Sequence, residues 1–180
     1  MAKYTASQIA DWIILRYTPD AGDAITPLKL QKLLYYCQAW HYTVYDEPLF
    51  DDKIEAWARG PVIPSQFERF SYLEIGDNIL NNWPEFAPDI VLEKYTENLL
   101  YEVMSVYGQH TAYYLERLVQ SEKPWKETRG DLEFPLACDK EIPLPLMKAY
   151  YSSISKTKNG KNKKDKTAEQ VRTRRLERVF

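Results

Sequence analysis

The stretch TPLKLQKLLYYCQAWH, residues 26–41, constrains this chain more than any other part of it. The Thr26 hydroxyl ahead of Pro27 is a helix start, since threonine can cap free amides and proline suits the first helical position. Leu30, Leu33, Leu34, Cys37, Trp40, His41 and Val44 then recur at the helical period. Tyr35, Tyr36 and Tyr42 widen the apolar face. Large rings on more than one side of a helix need packing partners on more than one side, so this helix is predicted to be central.

Other elements follow from local signals. A capping box of Thr5 and Gln8 opens a first helix through Ile9, Trp12 and Ile13, with Arg16 toward solvent and Pro19 and Gly22 ending it. Asp46–Leu49 reads as a turn, and Ile54–Ala58 is too short to decide between a strand and one helical turn. Gly60, Pro61 and Pro64 are expected to break regular structure, with the Gly60-Pro61-Val62 segment fixing a turn. Ser65 and Glu68 suggest a capping box for a short helix carrying Phe67, Phe70 and Leu73. After a connection at 76–88, which has room for a helical turn, a stripe of Leu92, Tyr95, Leu99, Val103 and Val106 predicts a helix from near Asp89 to Gly108. Thr111–Ser121 predicts another, with Tyr114, Leu115, Leu118 and Val119 inside and Pro124-Trp125 stopping it. Pro143 and Pro145 introduce a last helix over Leu146–Ile154.

The expected fold class is therefore mainly α: a single compact helical domain of five to seven helices over residues 1–155. At most a small two- or three-stranded β element fits between 50 and 64. A chain of 180 residues suits one such domain, and 14 Tyr, 6 Phe and 5 Trp can fill its core. Residues 156–180 form a basic C-terminal extension with ten Lys and Arg against three acids, while residues 1–155 hold fourteen against twenty-three. An acidic body does not suit coating nucleic acid, and the tail alone allows weak, salt-dependent contact with something anionic, the body itself included. The run SKTKNGKNKKDK has no apolar residue and should be mobile in isolation, whereas EQVRTRRLERVF can form a short amphipathic helix through Val171, Leu176 and Val179.

Function classes fall away in turn. No apolar run reaches the roughly 18 residues a membrane helix needs, and no signal peptide is evident, so a cytoplasmic protein is expected. Cys37 and Cys138 are too few for a disulfide scaffold. Cys37 and His41, four apart on a helix, could present two metal ligands, but a closed site needs about two more, and the rest of the chain offers none at useful spacing. The plainer reading is a core cysteine beside a half-buried histidine. Glu47, Asp51, Asp52 and Glu55 read more simply as a solvated face than as an ion site. Phosphate-loop, dinucleotide and nucleophile-elbow motifs are missing. No catalysis, cofactor or structural metal is expected.

Four segments carry a resemblance: TPLKLQKLLYYCQAWH (26–41), PLFDDKIEAWARGPVIP (48–64), YGQHTAYYLERLV (107–119) and EKPWKETRG (122–130). In this order the chain resembles the Panacea domain family, the SocA-like antitoxins, over about residues 7–135. The resemblance implies a mostly helical domain that neutralises a cognate toxin, encoded by a neighbouring gene, through direct protein contact. It also leaves open an adaptor that delivers the toxin to a AAA+ protease, and a DNA-binding repressor of its own operon. It brings no catalytic residues. Tyr45-Asp46-Glu47-Pro48 replaces a glycine-rich stretch common in relatives, and Arg59 stands where relatives often carry an aromatic residue. Either change could alter toxin choice. No helix-turn-helix or zinc module is expected ahead of the domain.

Most motif residues read as core. The candidates for partner binding are Trp57 and Arg59, beside the Gly60-Pro61 turn, and Trp125, which could either anchor a partner or lock the chain after Pro124. Tyr113 and Tyr114 are neighbours on one helix, so one of them is expected at the surface.

Overall fold

The structure, a computed structural model, describes residues 1–17, 24–83 and 90–159. The described residues hold seven helices and one two-stranded sheet: α1 (Ala6–Arg16), α2 (Pro27–Tyr45), β1 (Glu55–Trp57), β2 (Gly60–Val62), α3 (Pro64–Arg69), α4 (Lys94–Tyr107), α5 (Ala112–Ser121), α6 (Lys123–Arg129) and α7 (Leu144–Asn159). The fold is mainly α, with a small β element where the sequence left room for one. No helix among these residues is long and apolar enough to cross a membrane.

The two N-terminal starts form as their caps dictate. Thr5 and Gln8 make a reciprocal capping box, and the Thr26 hydroxyl accepts from the Lys29 amide with Pro27 in the first helical turn. The Pro19–Gly22 stop lies outside the described residues. α2 is central, packing against α1, α3, α4, α5, α7 and β2. It ends at Asp46, whose φ of 62° places it in the left-handed region, and the Lys148 ammonium holds the Asp46 carboxylate at 2.6 Å.

Rings meet around α2. Tyr36 stacks on Tyr107 of α4 at 3.8 Å, and the Trp40 indole donates to the Tyr107 hydroxyl at 3.1 Å. Tyr151 of α7 lies 4.9 Å from the Trp40 ring. Its hydroxyl donates to the buried carboxylate of Glu122 at 2.6 Å. Glu122 is the joint between α5 and α6, serving as C-cap of one and N-cap of the other, so this bond ties that joint to α7.

Several local expectations yield to tertiary packing. Gly60 and Pro61 do not break the chain: they lie in β2, which pairs antiparallel with β1 in the register Ala56 to Pro61. Pro61 needs no ladder amide there, and α2 takes up its carbonyl. α3 has no capping box; Pro64 starts it two residues early, and the Ser65 hydroxyl bonds Asp52 at 2.6 Å instead. Phe67 is exposed. On α4 the buried stripe is Thr96, Leu99, Leu100, Val103 and Tyr107. It is rotated from the predicted one, so Tyr95 and Val106 are only half-buried. On α5 Tyr114 and Tyr113 are both exposed, and Glu116 takes an inside position with Leu115 and Val119. α5 ends at Ser121 as expected, and Pro124 sits in the first turn of α6, so helix resumes at once. α7 begins at Leu144 and runs to Asn159, past the point where its apolar pattern ends.

Burial raises the Glu122 carboxyl from 4.5 to about 7, and the Tyr151 hydroxyl only partly offsets this. A raised carboxyl pKa contributes stability that is complete below the unfolded value and is lost as pH rises through the folded one. Glu122→Gln is therefore expected to flatten the pH dependence of unfolding free energy between about pH 4.5 and 7. The span removed is on the order of 3 kcal/mol. Urea titrations across that range measure it; a slope unchanged from wild type would contradict the assignment.

Candidate partner-binding site

Residues 49–63 cross the face of α2 with few backbone partners of their own, and buried polar side chains of α2 supply them. The Gln38 amide oxygen accepts from the Leu49 amide at 2.7 Å and the Phe50 amide at 3.3 Å, and its nitrogen donates to the Phe50 carbonyl at 2.8 Å. The Gln31 oxygen accepts from the Ile63 amide at 2.7 Å. Lys32, fully buried, donates to the Pro61 carbonyl at 3.0 Å. Desolvation pushes the Lys32 ammonium down to about 7, while the nearby Glu116 carboxylate opposes the shift.

The β1–β2 hairpin that results is gripped from behind. Ala58 and Arg59 form its turn, and Gly60 takes φ 95°, so the turn closes with a glycine in positive φ. Four hairpin carbonyls are taken by side chains from three helices. Arg129 reads Ala56 at 3.2 Å, the Trp125 indole reads Trp57 at 3.0 Å, Gln120 reads Ala58 at 3.0 Å and Lys32 reads Pro61. Across the turn Arg59 makes a two-pronged ion pair with Glu116, at 2.8 and 3.2 Å. A planar guanidinium matched to a buried carboxylate fixes the turn's orientation better than a lysine would.

Of the three candidates, Trp57 and Arg59 lie on the hairpin and Trp125 lies behind it. The Arg59 side chain is 44% exposed even when paired. Trp57 is half-buried; its indole donates to Glu55 at 2.7 Å, and its ring meets Phe67 edge-on at 4.9 Å. Phe67, half exposed, extends that aromatic surface outward. Trp125 holds the hairpin, with the Arg129 guanidinium 5.6 Å from its ring centre. Glu116, Gln120 and Arg129 carry no sign of these roles in the sequence beyond sitting at inside positions of helices that should bury apolar residues.

The Cys37–His41 pair is otherwise engaged. Desolvation raises the Cys37 thiol far above its usual range. The two ring nitrogens of His41 meet the Glu47 carbonyl at 2.8 Å and the Thr96 hydroxyl at 3.4 Å. The acidic run is dispersed: Asp51 accepts the Ala2 amide, Asp52 the Ser65 hydroxyl, and Glu55 the Trp57 indole. Among the described residues no three His, Cys, Asp or Glu side chains converge as a metal site would require.

Comparison with known protein families matches residues 30–126 to the antitoxin SocA-like, Panacea domain. That match spans more than half of the chain, from Leu30 in α2 through the hairpin and α5 into α6, and the chain belongs to this family. Comparisons with curated proteins and with solved structures returned no match.

A Cβ on Gly60 would lie 3.0 Å from both Lys32 Cε and Val119 Cγ1, in a backbone region side chains rarely adopt. Gly60→Ala is expected to cost about 1–3 kcal/mol of stability. Arg59→Ala, which breaks a partly exposed pair, should cost about 1 kcal/mol or less. Chemical denaturation of the two variants checks the order; equal losses would contradict the close-approach reading.

Proposed function

We propose that the chain is an antitoxin that neutralises a cognate toxin by direct, stoichiometric contact, without catalysis, through the face built on the β1–β2 hairpin. The observation that carries this reading is the set of side-chain bonds that hold the hairpin. Four side chains hold its carbonyls from behind while Trp57, Phe67 and the Arg59 guanidinium reach the surface. A surface ordered before binding loses little entropy when a partner docks. Its aromatic centre beside a guanidinium has the composition of an interface hot spot. The excess of acids over residues 1–155 would steer a basic toxin toward the body. Occlusion of the toxin's working surface is the mechanism this geometry favours. The family's name for its members as antitoxins supports the role.

The test uses the protein encoded by the neighbouring reading frame. Co-expression with the wild-type chain should restore growth, and two purified proteins should form a complex without a protease or ATP. Phe67→Glu, at an exposed position, should weaken that complex by about ten-fold or more with an unchanged melting temperature. A toxic neighbour that is neither bound nor neutralised would overturn the proposal. Neutralisation that appears only with a AAA+ protease and ATP would replace it with an adaptor role, and a shift of the operon's own promoter DNA at physiological salt with a repressor role.

A further inference from the structure

Between α6 and α7 the chain exposes three apolar side chains within five residues: Leu132, Phe134 and Leu136, with Phe134 70% and Leu136 55% exposed. Such exposure is costly in a segment that could turn its rings inward, yet this one is held in place. The Arg129 guanidinium, only 2% exposed, donates to the carbonyls of Leu132 at 3.0 Å, Glu133 at 3.0 Å and Leu136 at 2.5 Å. Farther on, the Ala56 amide donates to the Lys140 carbonyl at 2.9 Å and the Ile142 amide to the Ile54 carbonyl at 2.7 Å. A groove of about 480 Å³ lies between this segment and the hairpin, lined by Trp57, Ala58, Pro135, Ala137 and Cys138 together with Glu55 and Asp139. The segment itself carries Asp131, Glu133, Asp139 and Glu141, all exposed, against Lys140 alone. The groove thus combines apolar and acidic lining residues, and its complement is a basic segment with apolar anchors.

The chain contains such a segment. Residues 168–180, AEQVRTRRLERVF, hold Arg172, Arg174, Arg175 and Arg178 against two glutamates, with Val171, Leu176, Val179 and Phe180 as anchors. We propose that this C-terminal segment docks into the groove beside Trp57. Reach allows it: the twelve residues from Asn159 to Val171 can span roughly 40 Å when extended. That is about the diameter of a domain whose radius of gyration is roughly 16 Å. Tethering favours this occupant over a free peptide of equal chemistry, because a short linker gives an effective concentration of about millimolar. Docking does not rest on the antitoxin reading; if that reading holds, tail and toxin compete at Trp57.

Amide hydrogen exchange on the full chain at low ionic strength tests the proposal. Amides of 171–180 should exchange about ten-fold slower than their intrinsic rates, as a contact of ~0.1 mM dissociation constant would give at that effective concentration. The same protection should disappear in an Ala137→Arg variant, which puts a bulky like charge into the groove, with unchanged melting temperature. It should also disappear in a Leu176→Ser, Val179→Ser variant and at high salt. Intrinsic exchange rates in the wild-type tail, or protection that survives the groove variant, would overturn the docking. Protection that grows with protein concentration would assign the groove to the tail of a second copy instead. A toxin complex that protects the groove in a protein whose free tail is unprotected would assign it to the partner.

Discussion

The structure depends on polar side chains buried along α2. Residues 49–63 contain Pro61, which has no amide, and make a three-residue ladder and two bonds to residues 140–142, so the inward backbone groups of Leu49, Phe50, Pro61 and Ile63 depend on α2 for partners. Left unpaired, each such group costs about 1–3 kcal/mol. Gln31, Lys32 and Gln38 remove that cost by offering the crossing chain the donors and acceptors that a neighbouring strand would. The hairpin is therefore attached to the helix by directional bonds and not by contact area alone. Helices α5 and α6 complete the attachment through Gln120, Trp125 and Arg129.

This arrangement explains which features were legible in the sequence. The caps at Thr5 and Thr26 depend on residues three positions away, and those elements form as read. The apolar period of α2 was legible because Leu30, Leu33, Leu34, Cys37 and Trp40 recur at helical spacing. Its buried lysines and glutamines were not, because their partners lie about a dozen to thirty positions away in sequence. The same cause rotates α5: Glu116 is inside and Tyr114 outside because Arg59, far back in the chain, supplies the carboxylate's partner. Pro124 shows the ambiguity of proline, which ends one helix and begins another with the same ring geometry.

The candidate site was legible in part. Trp57 and Arg59 stand out in the sequence beside Gly60-Pro61, and the structure sets both on the hairpin with Trp125 bonded behind it. Phe67 was legible as a ring on a short helix, although its exposure was not. The apolar segment at 132–136 carried no periodic signal, since what fixes it is a single arginine reading three of its carbonyls. A family domain built this way can vary the outward side chains of the hairpin and of this segment while the inward bonds keep their geometry.

The claim that α2's buried amides hold the hairpin is tested most directly by site-resolved hydrogen exchange in Gln31→Leu. Gln31 contacts the Ile63 peptide through both ends of its amide, at 2.7 and 3.4 Å. Its loss should speed exchange at Ile63 and across Gly60–Val62 by at least about ten-fold, while the amides of α1 and α4 keep their wild-type order of protection. Unfolding free energy should fall by about 1–3 kcal/mol. Wild-type exchange at Ile63, with stability unchanged, would show that packing alone positions the hairpin and would contradict the account.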